Sequence, residues 1–125
     1  MALADTSLFI ALEQGRPFAA PLPDRIAVSV ITVGELRLGV LTARDGTTRA
    51  RRLATLLMAE RLRPLTVDSQ VAHVWAVLRL ELRDQGKGMP LNDSWIAATA
   101  IAADIPVISQ DDDYNGTPGL QVIRI

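Results

Sequence analysis

Short apolar runs alternate along this chain with longer stretches in which apolar residues recur every three or four positions. The runs are "ALA" (2–4), "IAVSV" (26–30), "PLTV" (64–67), "PVIS" (106–109) and "QVIRI" (121–125). They predict five buried, mostly parallel strands. Between them, "TSLFIAL" after Asp5 opens a helix, and "TVGELRLGVL" (32–41) predicts another with Thr32 at its start. Residues 47–62 place Leu53, Leu56 and Leu57 on one face, a stripe that stops at Glu60. Asp68 or Ser69 caps a helix running to about Gln85, with Val71, Val74, Trp75, Leu78 and Leu82 as its apolar side. The alanine-rich "NDSWIAATAIAAD" predicts a last helix able to lie close to a sheet. The proline-rich 16–24 and "GKGMP" (86–90) are loops. Strands alternating with helices predict an α/β fold: a single domain with a central, mostly parallel five-stranded sheet flanked by helices.

Composition narrows this little. The chain has 125 residues, 49% of them hydrophobic, which suits a packed globular domain and excludes disorder. There is no cysteine, so disulfide and thiolate chemistry are excluded, in keeping with a cytoplasmic protein. The N-terminus lacks the basic segment of a signal peptide. The longest apolar stretch is broken by Asp104 and Pro106, so no membrane span is expected.

Charge changes the picture more. The net charge is only −1, but it is unevenly spread. No Lys or Arg occurs in residues 1–15 or 89–123, whereas Arg44, Arg49, Arg51, Arg52, Arg61 and Arg63 cluster in one segment. Within the acidic part, Asp111, Asp112 and Asp113 stand side by side. Adjacent carboxylates repel, so something must make the arrangement tolerable.

Each acid has an ordinary reading on its own. Asp5 suits a helix N-cap. Thr32 and Glu35 form a Thr-x-x-Glu capping box. Asp93 suits a first helical turn, and Asp111–Asp113 suit a turn. The fold joins them, because loops leaving the C-terminal ends of parallel strands share one edge, where ligands bind if the strand order reverses. Asp5, Glu35, Asp93 and Asp111 are expected along that edge. Converging anions raise one another's pKa. A divalent cation resolves the conflict, and all-oxygen sites suit Mg²⁺ or Mn²⁺. Such a site can activate water against a phosphodiester. His73, the only histidine, has no acidic partner in view and is taken as structural or superficial.

In order and spacing, "ADTS", "ITVGELRLGV", "NDSWIAATA" and "SQDDDY" resemble the four motifs of PIN-domain ribonucleases, and among them the VapC toxins of type II toxin–antitoxin systems. The resemblance spans essentially the whole chain and implies a PIN-like domain over 1–125. It implies an endoribonuclease dependent on Mg²⁺ or Mn²⁺, with Asp5, Glu35, Asp93 and Asp111 as the acidic catalytic site. Asp5, Asp93, Asp111 and Asp113 would hold metal, Glu35 would bind metal or orient its water, and Thr6 and Asn92 would support them by hydrogen bonds. Tyr114 stands where phenylalanine is common, and Asp112 adds an acid between its neighbours. Which of the three aspartates faces the metal stays open. The resemblance further implies a homodimer and a VapB-like antitoxin whose tail packs near the helices at 32–42 and 47–62.

Arg44, Arg49, Arg51 and Arg52 are candidate contacts to RNA phosphates, or equally a solvated helix face. Trp75 is expected in the core; Trp95 either packs there too or stacks on a base. The rival to a nuclease is a catalytically silent PIN-like module that binds RNA or protein. The absence of G-x-x-x-x-G-K-[ST] and G-x-G-x-x-G motifs leaves nucleotide binding of those kinds unsupported.

Overall fold

The computed structural model describes residues 1–125. The elements run β1 (Ala2–Ala4), α1 (Thr6–Gln14), β2 (Ile26–Ala27), α2 (Val30–Leu41), α3 (Gly46–Glu60), α4 (Ser69–Asp84), α5 (Leu91–Ala103), β3 (Val107–Ser109) and β4 (Val122–Arg124). The sheet has four strands in the order β2-β1-β3-β4, all parallel. The chain steps one way from β1 to β2 and the other way from β3 to β4. The order therefore reverses between the central pair β1 and β3.

Alternation along these short strands divides the core into two layers. Ala2 and Ala4 of β1 and Ile108 of β3 pack with Leu8, Phe9, Leu36, Val40 and Leu56, so α1, α2 and α3 cover that face. Leu3 and Val107 point the other way, into Leu78, Leu82, Ile96, Ala97 and Ala100 of α4 and α5. Burying each Leu, Ile or Phe contributes about 1.5–3 kcal/mol. Alanines 97 and 100 bring α5 close to the sheet, which fixes the position of its first turn. No helix is long and apolar enough to cross a membrane.

The α/β architecture agrees with the sequence expectation, with three differences of detail. The sheet has four strands, not five. Residues 64–67 contribute one bridge, in which Leu65 N–H donates to Val28 O at 2.8 Å and Val30 N–H to Leu65 O at 3.0 Å. Asp68 then caps α4 by accepting from Val71 N–H at 3.0 Å, so no length is left for a strand. The second strand is also shorter than 26–30, because Ser29 takes a helix-capping role. Its hydroxyl accepts from Ile31 N–H at 3.0 Å, and α2 begins at Val30. Thr32 therefore lies inside α2 and forms no capping box with Glu35. On α3, Leu56 is buried but Leu53 and Leu57 are exposed; Thr55 and Ala59 complete the inward face.

Candidate active site

The reversal point places β1 and β3 side by side, so the residues after them emerge together. Asp5 ends β1 and caps α1, with its side chain accepting from Ser7 N–H at 3.4 Å. It is 3% exposed and receives two further donors: Ser109 Oγ to Oδ2 at 3.0 Å and Tyr114 Oη to Oδ1 at 2.8 Å. The expected N-cap is thus real, but it accounts for only part of what the carboxylate does. Ser109 in turn accepts from Asp111 N–H at 2.9 Å, and Ser7 Oγ accepts from Gln110 N–H at 3.1 Å. The two serine hydroxyls lie 3.2 Å apart. Together they fasten the loop after β3 onto the start of α1.

That loop sorts the three aspartates. Asp112 turns outward, where its Oδ1 accepts from Arg124 Nε at 2.9 Å. Asp111 and Asp113 line a cavity of about 310 Å³ together with Asp5, Glu35, Asp93 and Thr6. Glu35 is freed for this by the Ser29 cap. Its Oε1 accepts from the Thr6 hydroxyl at 2.7 Å, and that hydroxyl lies 3.0 Å from Thr32 Oγ1. Asp93 comes from the first turn of α5 and meets the Tyr114 hydroxyl at 3.3 Å.

The electrostatics are those of crowded anions. The ion pairs of the molecule are Arg37–Glu60, Arg83–Asp84 and Arg124–Asp112, and none involves a carboxylate lining the cavity. Burial, then the charge of Asp5, then Asp113 push the Asp93 carboxyl up to about 7, against a smaller opposing effect of the Tyr114 hydrogen bond. Burial and the charges of Asp5 and Asp113 also raise Asp111, while the charges of Arg124 and Arg16 lower it. Burial, with Asp5 and Asp93 adjacent, pushes the Tyr114 hydroxyl far up, so it stays a donor. No three acidic side chains stand close enough to form a ready-made cage for an ion. Mg²⁺ does not need one, since it keeps several waters and takes one or two carboxylates. The oxygen-only donor set, with none of its carboxylates held in an ion pair, fits such an ion.

A larger cavity of about 450 Å³ adjoins this cleft and shares Thr6, Ile10 and Glu35 with it. Its other walls include Glu13, Leu38, Gly39, Arg52 and Asn92. Leu38 in that wall is 61% exposed.

Comparison with known proteins agrees with this geometry. Residues 2–120 match the family model described as PIN domain. The chain is 50% identical over 129 residues to "Ribonuclease VapC4" of Mycobacterium tuberculosis, covering 99% of this chain and 96% of that one. It is 46% identical over 125 residues to "Ribonuclease VapC5" of the same organism, covering 97% and 93%. The chain belongs to the VapC ribonucleases of the PIN-domain family. Its fold superimposes on the crystal structure of VapBC-5, a toxin–antitoxin system of M. tuberculosis, with a TM-score of 0.88, 42% identity and coverage of 99% and 98%. It also matches FitAcB from Neisseria gonorrhoeae with a TM-score of 0.78, 29% identity and coverage of 98% and 96%.

In this VapC-family chain the acids singled out from sequence, Asp5, Glu35, Asp93, Asp111 and Asp113, share one cleft. Thr6 supports Glu35 directly, whereas Asn92 lines the adjoining cavity and makes no side-chain bond to the acids. Of the candidate RNA-contacting arginines, Arg49 and Arg52 donate to backbone carbonyls of Ala43 at 3.1 Å and Gly39 at 2.7 Å; Arg44 and Arg51 are exposed. His73 is exposed. Trp95 stacks on Trp75, ring centroids 4.3 Å apart, and both are half-buried. Sequence reasoning missed Ser7, Ser109 and Arg16, a basic side chain that lines the cleft. It noted Tyr114 only as an unusual residue, although that oddity was the available signal.

Proposed function

We propose that this VapC-family chain is the toxin of a toxin–antitoxin pair and hydrolyses RNA phosphodiester bonds at the acidic cleft, assisted by Mg²⁺ or Mn²⁺. The observation that carries the reading is the convergence of Asp5, Glu35, Asp93, Asp111 and Asp113 on one cavity with no basic group paired to any of them. Asp5, Asp93, Asp111 and Asp113 are the carboxylates from which the cation would draw its one or two protein ligands, with water completing its shell. When bound, it supplies a Lewis acid that polarises the phosphate and makes water nucleophilic near neutral pH.

The chain's own groups do the rest. Asp5 is clamped by three donors and gives the site a rigid reference point. Glu35, oriented by Thr6, faces the cleft from the opposite helix, where it orients water and takes its proton. Asp93 and Asp113 line the same cleft, and burial with the charges of Asp5 and Asp113 raises the Asp93 carboxyl. Arg16 lines the cleft and meets a phosphate oxygen of the substrate. The adjoining cavity between α1, α2 and α3, with the exposed Leu38 in its wall, supports the docking of an antitoxin tail that aims a basic side chain at the acids.

The test is cleavage of total cellular RNA by the purified, antitoxin-free protein with Mn²⁺, with Mg²⁺ and with chelator, alongside Asp93→Asn. Discrete fragments that need metal and disappear in the variant are expected. Fragments that persist in chelator, or in the variant, would remove the metal-assisted reading. Absence of any cleavage by folded wild-type protein would remove the nuclease.

A further inference from the structure

Under the floor of the cleft lies one large side chain whose polar atom serves the acids and nothing else. Tyr114 is fully buried among Leu3, Ile96, Ala97 and Val107. Its loop is pinned by Thr117, whose hydroxyl donates to Tyr114 O at 2.7 Å. The ring fills the core layer under α5, and the hydroxyl leaves that layer to meet Asp5 Oδ1 at 2.8 Å and Asp93 Oδ1 at 3.3 Å.

A buried tyrosine hydroxyl usually finds some partner. Here it finds two, both carboxyl groups, on different elements: the end of β1 and the first turn of α5. A hydrogen bond to an ionised acceptor is roughly twice as strong as a neutral one. The single O–H proton is shared in a fork that favours Asp5. Asp93 has no other side-chain hydrogen bond, so its second oxygen remains free for the cleft. A phenylalanine ring would fill the same space without the fork.

We propose that Tyr114 is a positioning residue for the cation: its hydroxyl ties Asp5 to Asp93 from beneath and sets the separation of two carboxylates that together grip a divalent ion. This rests on the metal-assisted reading above. Partners that orient metal ligands characteristically matter by about 10- to 100-fold in metal affinity. The effect falls on affinity and not on the chemical step, because the hydroxyl does not enter the cleft.

The experiment compares wild type with Tyr114→Phe by calorimetric titration with Mn²⁺ and by RNA cleavage across a Mn²⁺ series. The expected result is a Kd for Mn²⁺ weakened about tenfold or more, with kcat at saturating Mn²⁺ within a few-fold of wild type. A variant that is folded and binds Mn²⁺ within about twofold of wild type overturns the proposal. Should the variant fold poorly, wild type alone decides. Tyr114 is the only tyrosine in the chain, so the tyrosine Raman doublet reports its hydrogen bond without ambiguity. A change in the doublet on adding Mn²⁺ supports the tie, and an unchanged doublet at saturating Mn²⁺ overturns it. If wild type binds no Mn²⁺ or Mg²⁺, the metal reading itself fails and this proposal falls with it. An unchanged Tyr114→Phe beside a metal-binding wild type sinks the positioning role alone.

Discussion

Replacing Asp93 with asparagine should stabilise the metal-free protein at pH 8. In the folded chain burial and the neighbouring Asp5 and Asp113 push this carboxyl from an ordinary 3.8 up to about 7. A raised carboxyl works in the opposite sense to a salt-bridged one. Between about pH 4 and pH 7 the folded state holds more protons than the unfolded state, so stability falls as pH rises through that window. The full penalty is present above it and absent below it. Roughly three pKa units correspond to about 4 kcal/mol. Asp93 is partly open to solvent, and screening reduces the figure to about 1–2 kcal/mol. An opposing effect comes from the first turn of α5, where a carboxylate gains about 0.3–1 kcal/mol from the helix dipole. Relief of repulsion is the larger, which leaves a net gain of about 1 kcal/mol at pH 8, or about 4 °C in melting temperature for a chain of this size. At pH 5 the wild-type carboxyl already carries its proton, and the gain shrinks to nothing or reverses. Thermal melts in chelator at both pH values measure this. A variant that melts below wild type at pH 8, or one with the same difference at pH 5 and pH 8, would refute the account and return Asp93 to a helix-terminus role.

Asp5→Asn should go the other way. Its carboxylate accepts three hydrogen bonds, and an amide turned toward one of those donors costs about 1–3 kcal/mol, seen as a lower melting temperature at both pH values. Asp112→Asn should leave RNA cleavage unchanged and stability within about 1 kcal/mol, because its pair with Arg124 is exposed. Asp111→Asn, one residue away, should abolish cleavage; equal activity in the two variants would show that the loop is assigned wrongly. Arg16→Ala should keep the melting temperature while weakening RNA binding, with a salt-dependence slope shallower by about one unit. An unchanged slope would mean that Arg16 touches no phosphate.

What the sequence made legible, and what it hid, follows from the range of the interactions. The inward stripe of α4 and the close-packed alanines of α5 are local patterns, and both appear as expected. Asp5 and Asp111 meet because parallel strands share an edge, a rule that needs only strand positions. The start of α2 was illegible because Val30 and Ile31 continue the apolar run of β2, while the Ser29 hydroxyl decides the boundary. Residues 64–67 have strand-like composition, but the Asp68 cap leaves them one bridge. Tyr114 and Asp5 are 109 positions apart, and Ser7 and Ser109 are 102 apart. No periodicity connects such pairs. Arg16 sits beyond the left-handed turn at Gly15, with φ of 67°, and its place beside the acids is a tertiary fact.

Thr6, Ile10 and Glu35 form a party wall between the acidic cleft and the larger cavity. With the proposed antitoxin tail in the larger cavity, restraint and activity cannot drift apart freely in this molecule. A substitution in the wall that loosens an inhibitor also disturbs Glu35 or the Thr6 hydroxyl that orients it. Escape without loss of activity has to come from the far rim, at Leu38, Gly39 or Arg52. Any lineage of such proteins diversifying its choice of inhibitor should change that rim first and the wall last.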